Sequence, residues 1–321
     1  MKKKIIILAA VVLAIAAFLA FYFNGTSYKT DENDTESLFI ENVDAIAYEN
    51  TIETATAQTE LYDIIYNHFT APLPEGKTEK KAIVIGYDGC RADVLLSLQE
   101  ENSGINALLE EGASINLNFC GGVNYPETNT QKTSTAPGWC SILTGKWADE
   151  HGITGNDITK TMDTKTLLTS LTEEKIIDRA SFITKWAGHF DRNDATYLEE
   201  KAYCEKNGLN IDFNKTRNDS ASLKAVVKEL SEESCADFTI VIFEQTDSTG
   251  HGKGFSINNP KYRKAFIDAD ESGYETLTAI KNRATYETED WLFIITSDHG
   301  GIGTGHGDAS IQERMTFAVI K

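Results

Sequence analysis

The sequence predicts an α/β fold, with a mostly parallel central sheet, helices on both faces and an N-terminal transmembrane helix in front. Three observations predict it. Short continuous apolar runs, "AIVIGY" (82–87), "SFIT" (181–184), "FTIVIF" (238–243) and "WLFII" (291–295), suit strands covered on both faces. Between them lie segments with apolar residues at helical spacing, such as Leu223, Val226, Val227 and Leu230. That alternation is the pattern of a parallel sheet wrapped by helices. Finally, residues 5–23 ("IIILAAVVLAIAAFLAFYF") carry no charge at all.

At about 1.5 Å per residue, that uncharged run just spans a bilayer core of about 30 Å. Lys2, Lys3 and Lys4 favour a cytoplasmic tip at residues 1–4 and an extracytoplasmic remainder. A cleaved signal peptide would have a shorter apolar region ending at a small-x-small site, whereas "AIA" (14–16) lies inside the run. Residues 5–23 therefore read as an uncleaved, single-pass signal anchor whose partner is the lipid bilayer. Residues 24–77 read as an acidic stalk and lead-in helix. Leu61, Ile64, Ile65 and Phe69 share one face of that helix, and Pro72 and Pro74 stop it. Residues 78–321 form the globular domain, which ends in a last strand at "FAVIK".

The chain carries 30 basic and 49 acidic residues, a formal net charge of −19. Binding to nucleic acid or anionic lipid by general charge attraction is thereby disfavoured. An anionic substrate would need a local cationic centre, such as a metal. Five scattered cysteines without a CxxC pair read mostly as small buried residues, with at most one or two disulfides. Asn24 opens an "NGT" pattern that would lie at the membrane surface.

In sheets of this kind, ligands gather at the carboxyl ends of strands. Asp88 follows the first strong strand, Asp247 and His251 ("DSTGHG") follow the third, and Asp298, His299 and His306 ("SDHGGIGTGHGD") follow the fourth. Three aspartates and half of the six histidines thus sit at matching positions. Such groups are costly to bury unless paired or bound to metal. Imidazole with carboxylate is a zinc-like donor set, and six donors suit two ions about 4 Å apart better than one tetrahedral ion. The glycines let ligand-bearing backbone approach closely. "TAPGWCSILTG" (135–145) reads as a turn into a helix, with Pro137 in its first turn and Gly145 at its end. The Thr135 hydroxyl would then face the positive end of the helix dipole, although capping is the commoner role for a threonine there.

Together these segments resemble the alkaline phosphatase superfamily, and within it the type I phosphodiesterase / nucleotide pyrophosphatase family. The carrying residues are "GYDG" (86–89), "TAPGWCSILTG" (135–145), "HGITGN" (151–156), "DSTGHG" (247–252), "SDHGG" (297–301) and "GHG" (305–307). The resemblance implies an alkaline-phosphatase-like fold over the catalytic domain 78–321 and a two-zinc site. Asp88, Thr135, Asp298 and His299 would hold one ion, and Asp247, His251 and His306 the other. Thr135 would be the nucleophile and Asn156 a donor to a phosphate oxygen. The implied reaction is hydrolysis of small phosphate esters, diesters foremost, through a phosphothreonine. A phosphomonoesterase, a phosphonate hydrolase or a metal-stabilised pseudoenzyme are the alternatives. Two departures bear on nucleotide specificity. His306 follows His299 by only seven residues, and Gly138 stands where a Thr-x-Pro-Asn segment would carry Asn. A sulfatase reading fails, since Thr135 and Trp139 replace the Cys/Ser and Arg of Cys/Ser-x-Pro-x-Arg.

Candidate substrate-side residues are Trp139, Trp147, Lys185, Trp186 and His189. Both Trp139 and Trp147 suit packing better, and Arg91 suits an ion pair with Asp93 better than a phosphate contact.

Overall fold

The computed structural model describes residues 55–99, 101–123, 131–156, 162 and 164–321. One eight-stranded sheet organises them: β1 (Thr56–Ala57), β2 (Glu79–Tyr87), β3 (Ser114–Phe119), β4 (Ala180–Thr184), β5 (Ile211–Lys215), β6 (Phe238–Phe243), β7 (Glu289–Thr296) and β8 (Met315–Ile320). The spatial order is β1-β3-β8-β7-β2-β6-β4-β5. Neighbours run parallel except where β8 opposes β3 and β7.

Alternation along the central strands divides the core between two faces. Ala82 and Val84 of β2, with Ile240 of β6 and Ile294 of β7, face one cluster. The helices Glu60–Thr70, Thr135–Thr144 and Leu167–Glu173 cover it with Leu61, Ile65, Trp139 and Leu168. Ile83, Ile85, Val241 and Ile295 face the opposite cluster. There the helices Gly104–Glu110, Asp219–Ser231 and Pro260–Lys281 supply Leu108, Val226, Leu230, Phe266 and Leu277. Each of these large side chains gains about 1.5–3 kcal/mol from leaving water. The lead-in helix ends at Thr70, and Ala71 is extended ahead of Pro72, as the proline demands.

The expected strands all form, and all but β6 extend beyond the apolar runs that marked them. β2 starts at Glu79 because the lysines before its core are paired: Lys80 with Asp290 at 2.8 Å, and Lys81 with Glu79 and Asp237 at 2.9 and 3.2 Å. Strands β3 and β5 were not foreseen. Both mix polar and apolar residues ("SINLNF", "IDFNK"), and each is exposed along part of its length. All five cysteines are buried and none forms a disulfide, so the allowance for one or two bridges is not used. The proposed anchor (5–23) and the stalk up to residue 54 lie outside the described residues. Among those described, no helix is long and apolar enough to cross a membrane.

Gly86, in the last turn of β2 before the site, shows why a glycine stands there. A Cβ at this position would run into the six-membered ring of Trp139, which is fully buried against the strand. Gly86→Ala should therefore lower stability by about 1–3 kcal/mol through overpacking. Thermal unfolding checks this, and a variant melting with the parent would show that the ring moves freely.

Candidate active site

Three parallel strands, β2, β6 and β7, lie side by side and release their chains at the same edge of the sheet. Asp88 leaves β2 directly. After β6 the chain enters the helix Gln245–Lys253, so Asp247 and His251 stand one turn apart on a helix rather than in an irregular loop. Asp298 and His299 leave β7, and an Ile302–Gly305 bridge folds the glycine-rich segment back to present His306.

All seven expected ligand residues converge. Thr135 Oγ1 stands 3.4 Å from both Asp88 Oδ1 and His299 Nε2. His299 Nε2 lies 3.7 Å from Asp88 Oδ1 and 3.5 Å from Asp298 Oδ2. On the other side, Asp247 Oδ1 is 3.4 Å from His251 Nε2 and 3.5 Å from His306 Nε2. The two halves touch where the His299 and His306 rings meet, tilted at 33° with centroids 4.0 Å apart. Asn156 sits beside this group, its Oδ1 accepting the Ala136 N–H at 2.9 Å. Thr135 is not a cap. Ser134 occupies that position, and the Thr135 hydroxyl turns towards the carboxylates.

The histidines are set by their outer nitrogens. Nδ1 of His299 reaches the Gly300 carbonyl at 2.6 Å, Nδ1 of His306 that of Thr133 at 2.9 Å, and Nδ1 of His251 that of Thr304 at 3.0 Å. A carbonyl only accepts, so each Nδ1 carries the proton and each neutral Nε2 presents a lone pair inward. The Nε2 atoms of His251 and His306 then face one another at 3.0 Å. Two lone pairs at that separation repel unless a proton or cation lies between them. Asp247 Oδ1 and Asp298 Oδ2, buried within the same cluster, have no hydrogen-bond partner among the described residues. The trios Asp88/Asp298/His299 and Asp247/His299/His306 each offer ligand atoms within 4.8 Å of one another. Two carboxylate oxygens without donors and three inward lone pairs fit a divalent cation.

Electrostatics point the same way. Burial, then Asp247, raises Asp88 to about 8. Burial, then Glu244, raises Asp247 to about 7. Burial, then Asp88, holds Asp298 well above the usual carboxylate range. On the basic side, burial, then His251, lowers His306 to about 4, and burial, then His306, holds His299 well below its ordinary value. Imidazoles kept neutral and carboxyls kept protonated describe a centre short of positive charge.

The polar role of Trp139 and the acid Glu244 were not anticipated, whereas Lys185 and Trp186 were among the candidate substrate-side residues. Trp139, expected to be packing alone, also donates Nε1–H to Asp88 Oδ2 at 3.0 Å. Its position four residues after Thr135, on the same helical face, was the available signal. Glu244, next after β6, is a further buried acid raised to about 8 by burial and Asp88. Lys185 is the cation that lowers Asp88, Glu244 and Asp247 alike, and its Nζ lies 2.7 Å from Asp219 Oδ2 and 3.3 Å from Ser248 Oγ. Trp186 lies beside it, its backbone N–H donating to Glu244 Oε1 at 2.7 Å. His189 does not reach the site; it is buried among Phe182, Trp186 and Tyr197. Trp147 stacks on Phe119, and Arg91 bonds Asp93 at 3.0 Å and the Phe255 carbonyl at 2.7 Å, the structural roles expected of both.

Residues 82–311 match the family description Type I phosphodiesterase / nucleotide pyrophosphatase. The chain belongs to that family. Among solved structures it is similar to murine ectonucleotide pyrophosphatase / phosphodiesterase 5 in complex with AMP, at 18% identity and a TM-score of 0.48, over 70% of this chain and 57% of that one. The human counterpart gives 16% identity and a TM-score of 0.45, over 69% and 57% of the two chains. A 2-O GAG sulfatase gives 12% and 0.46, over 75% and 63%. This family member thus spans less than two thirds of the length of each of these structures.

The raised carboxyls give a direct test. Binding a divalent cation requires them ionised, so it should release protons, about one or more near pH 6 and fewer near pH 9. Calorimetry of zinc binding in two buffers of different ionisation enthalpy reads the number. Buffer-independent heats at pH 6 would contradict the protonation described here.

Proposed function

We propose that this chain is a metal-dependent hydrolase of phosphate esters, diesters foremost, which works through a phosphothreonine at Thr135 beside two zinc ions. The observation that carries the reading is Thr135 Oγ1 at 3.4 Å from both Asp88 Oδ1 and His299 Nε2, at the first residue of a buried helix. Asp88, Thr135, Asp298 and His299 would hold one ion and Asp247, His251 and His306 the other. Bound zinc would supply the positive charge that makes a hydroxyl nucleophilic at neutral pH and offsets charge on the leaving oxygen.

The chain's own residues do the rest. The Thr135 oxygen gives up its hydroxyl proton and bonds to phosphorus, the bond from phosphorus to the leaving oxygen breaks, and that oxygen takes up a proton to depart as the alcohol. Water then cleaves the phosphothreonine, returns a hydrogen to Thr135 and releases the phosphate product. Asn156, its Oδ1 held by the Ala136 N–H, has no acceptor for its Nδ2 hydrogens among the described residues and would donate them to a phosphate oxygen as charge grows there. Trp139 fixes the Asp88 carboxylate through Oδ2 and leaves Oδ1 to the Thr135 side. Burial of Asp88, Asp298 and His299 excludes competing water around the nucleophile.

Lys185 is the one feature favouring a second reading. Its charge, felt at both Asp88 and Asp247, would suit the extra negative charge of a monoester. We further infer that residues 5–23 anchor the protein in a membrane with this domain on the extracytoplasmic side.

Elemental analysis should find about two zinc per chain, and chelation should abolish turnover. Thr135→Ala should retain the zinc and lose essentially all hydrolysis, while Asn156→Ala should lower kcat by about 10²–10³. Normal turnover by Thr135→Ala would end the nucleophile assignment. Nitrophenyl diester compared with nitrophenyl monoester decides substrate class, a monoester preference above about a hundredfold, nearly 3 kcal/mol, establishing the second reading.

A further inference from the structure

His151 lies outside the converging cluster, is fully buried, and sits at the end of the short helix Ala148–His151. Its Nδ1 accepts the Ile153 N–H at 3.1 Å. An accepting Nδ1 in a neutral ring leaves the proton on Nε2, which lies 3.2 Å from Ser141 Oγ and donates to it. Ser141 in turn donates to Gln131 Oε1 at 3.1 Å, and the same oxygen accepts the Ala148 N–H at 3.0 Å. Every donor in this line has one acceptor and the direction of every proton is fixed.

The line joins the three segments that build the nucleophile's surroundings. Ser141 belongs to the helix that begins at Thr135. Gln131 stands in the irregular segment just before that helix, where the Thr133 carbonyl orients His306. Ile153 opens the turn that reaches Asn156, and Thr154 in that turn accepts the Lys132 N–H at 2.8 Å. No link of the line touches the cation-binding cluster. We propose that His151 is a positioning residue that sets the spacing between the Thr135 hydroxyl and the Asn156 amide. It acts as a one-way hydrogen-bond ruler from the Asn156 turn to the nucleophile helix. The proposal rests on the hydrolytic reading above, because it assigns those two groups to one transition state.

The ruler predicts coupling that simple packing would not give. His151→Asn keeps an acceptor for the Ile153 N–H and loses the donor to Ser141, and His151→Gln does the reverse. On a nitrophenyl diester, each should lower kcat by about tenfold and leave KM within about twofold, since a small displacement costs rate more than affinity. In an Asn156→Ala background the same changes should cost less than about twofold, because nothing remains to be positioned. Equal losses in both backgrounds would overturn the proposal. Orthovanadate affinity of the zinc-loaded protein, taken through the same four-variant cycle, repeats the comparison without turnover. A protein that binds vanadate with the expected coupling and hydrolyses no ester would sink the proposed function and leave the ruler standing. Histidine ¹⁵N spectra of the metal-free protein should show His151 as the Nε2–H tautomer at pH 6. Finding the Nδ1–H tautomer would overturn the proposal by itself.

Discussion

Everything at the edge of this sheet depends on three backbone carbonyls. Gly300, Thr133 and Thr304 take the Nδ1 protons of His299, His306 and His251 and so turn three lone pairs inward. A neutral imidazole has one donor and one acceptor, so fixing the donor fixes what the other nitrogen can do. Free to rotate, the same rings could pair with the aspartates and neutralise the cluster. Held as they are, they leave Asp247 and Asp298 with oxygens that no donor meets. The fold thereby sustains a concentration of unsatisfied acceptors that only added positive charge relieves. That requirement explains an otherwise odd feature of a strongly acidic chain, four carboxyls (Asp88, Glu244, Asp247 and Asp298) gathered where burial already penalises them.

The glycines crowded into this edge serve approach more than flexibility. A Cβ at Gly138 would stand 2.8 Å from the Asp298 carbonyl oxygen, and one at Gly89 would stand 2.7 Å from Asp247 Cβ. Each keeps a ligand-bearing segment within reach of its neighbour. Gly138 therefore accounts for the departure from the Thr-x-Pro-Asn pattern: the helix of Thr135 packs directly on the chain carrying Asp298, and no side chain fits between them. Only Gly303 and Gly307 of the "GGIGTGHG" run require the left-handed backbone region.

The central sheet was legible because β2, β6 and β7 are continuously apolar, and strand-end logic then singled out Asp88, Asp247, His251, Asp298, His299 and His306, which the structure brings together. What stayed hidden depended on partners far apart in the chain. Helical period in "QTDSTGHGK" is invisible because the segment has almost no apolar face, so nothing in the sequence announced the helix on which Asp247 and His251 stand. Trp139 looked like core because its ring is core, and only the three-dimensional placement of its N–H on Asp88 reveals the second role. Glu244 was missed while Lys185 was a candidate, because they belong to different strand ends that become neighbours only through the β4–β6 pairing. His189 misled for the opposite reason, since a histidine after a strand can turn into an aromatic cluster as readily as towards a cleft.

The two halves of the cluster differ in access to water, and the difference has a direction. Asp88, Asp298 and His299 side chains are at most 1% exposed, whereas those of Asp247 and His251 are 18% and 47% exposed. Thr135 stands with the dry half. In an in-line displacement, the attacking and leaving oxygens lie on opposite sides of phosphorus. On the proposed route the nucleophile occupies the enclosed side, where a desolvated oxygen is most reactive and stray water is excluded. The leaving alcohol must then depart on the His251 side, which is the side open to solvent. Such an arrangement restricts the group bonded through phosphorus at the dry end to Thr135 itself and places few limits on what departs. On that proposed route, tolerance of varied leaving groups with strict geometry at the phosphoryl centre would follow from an exposed half-site beside a buried one.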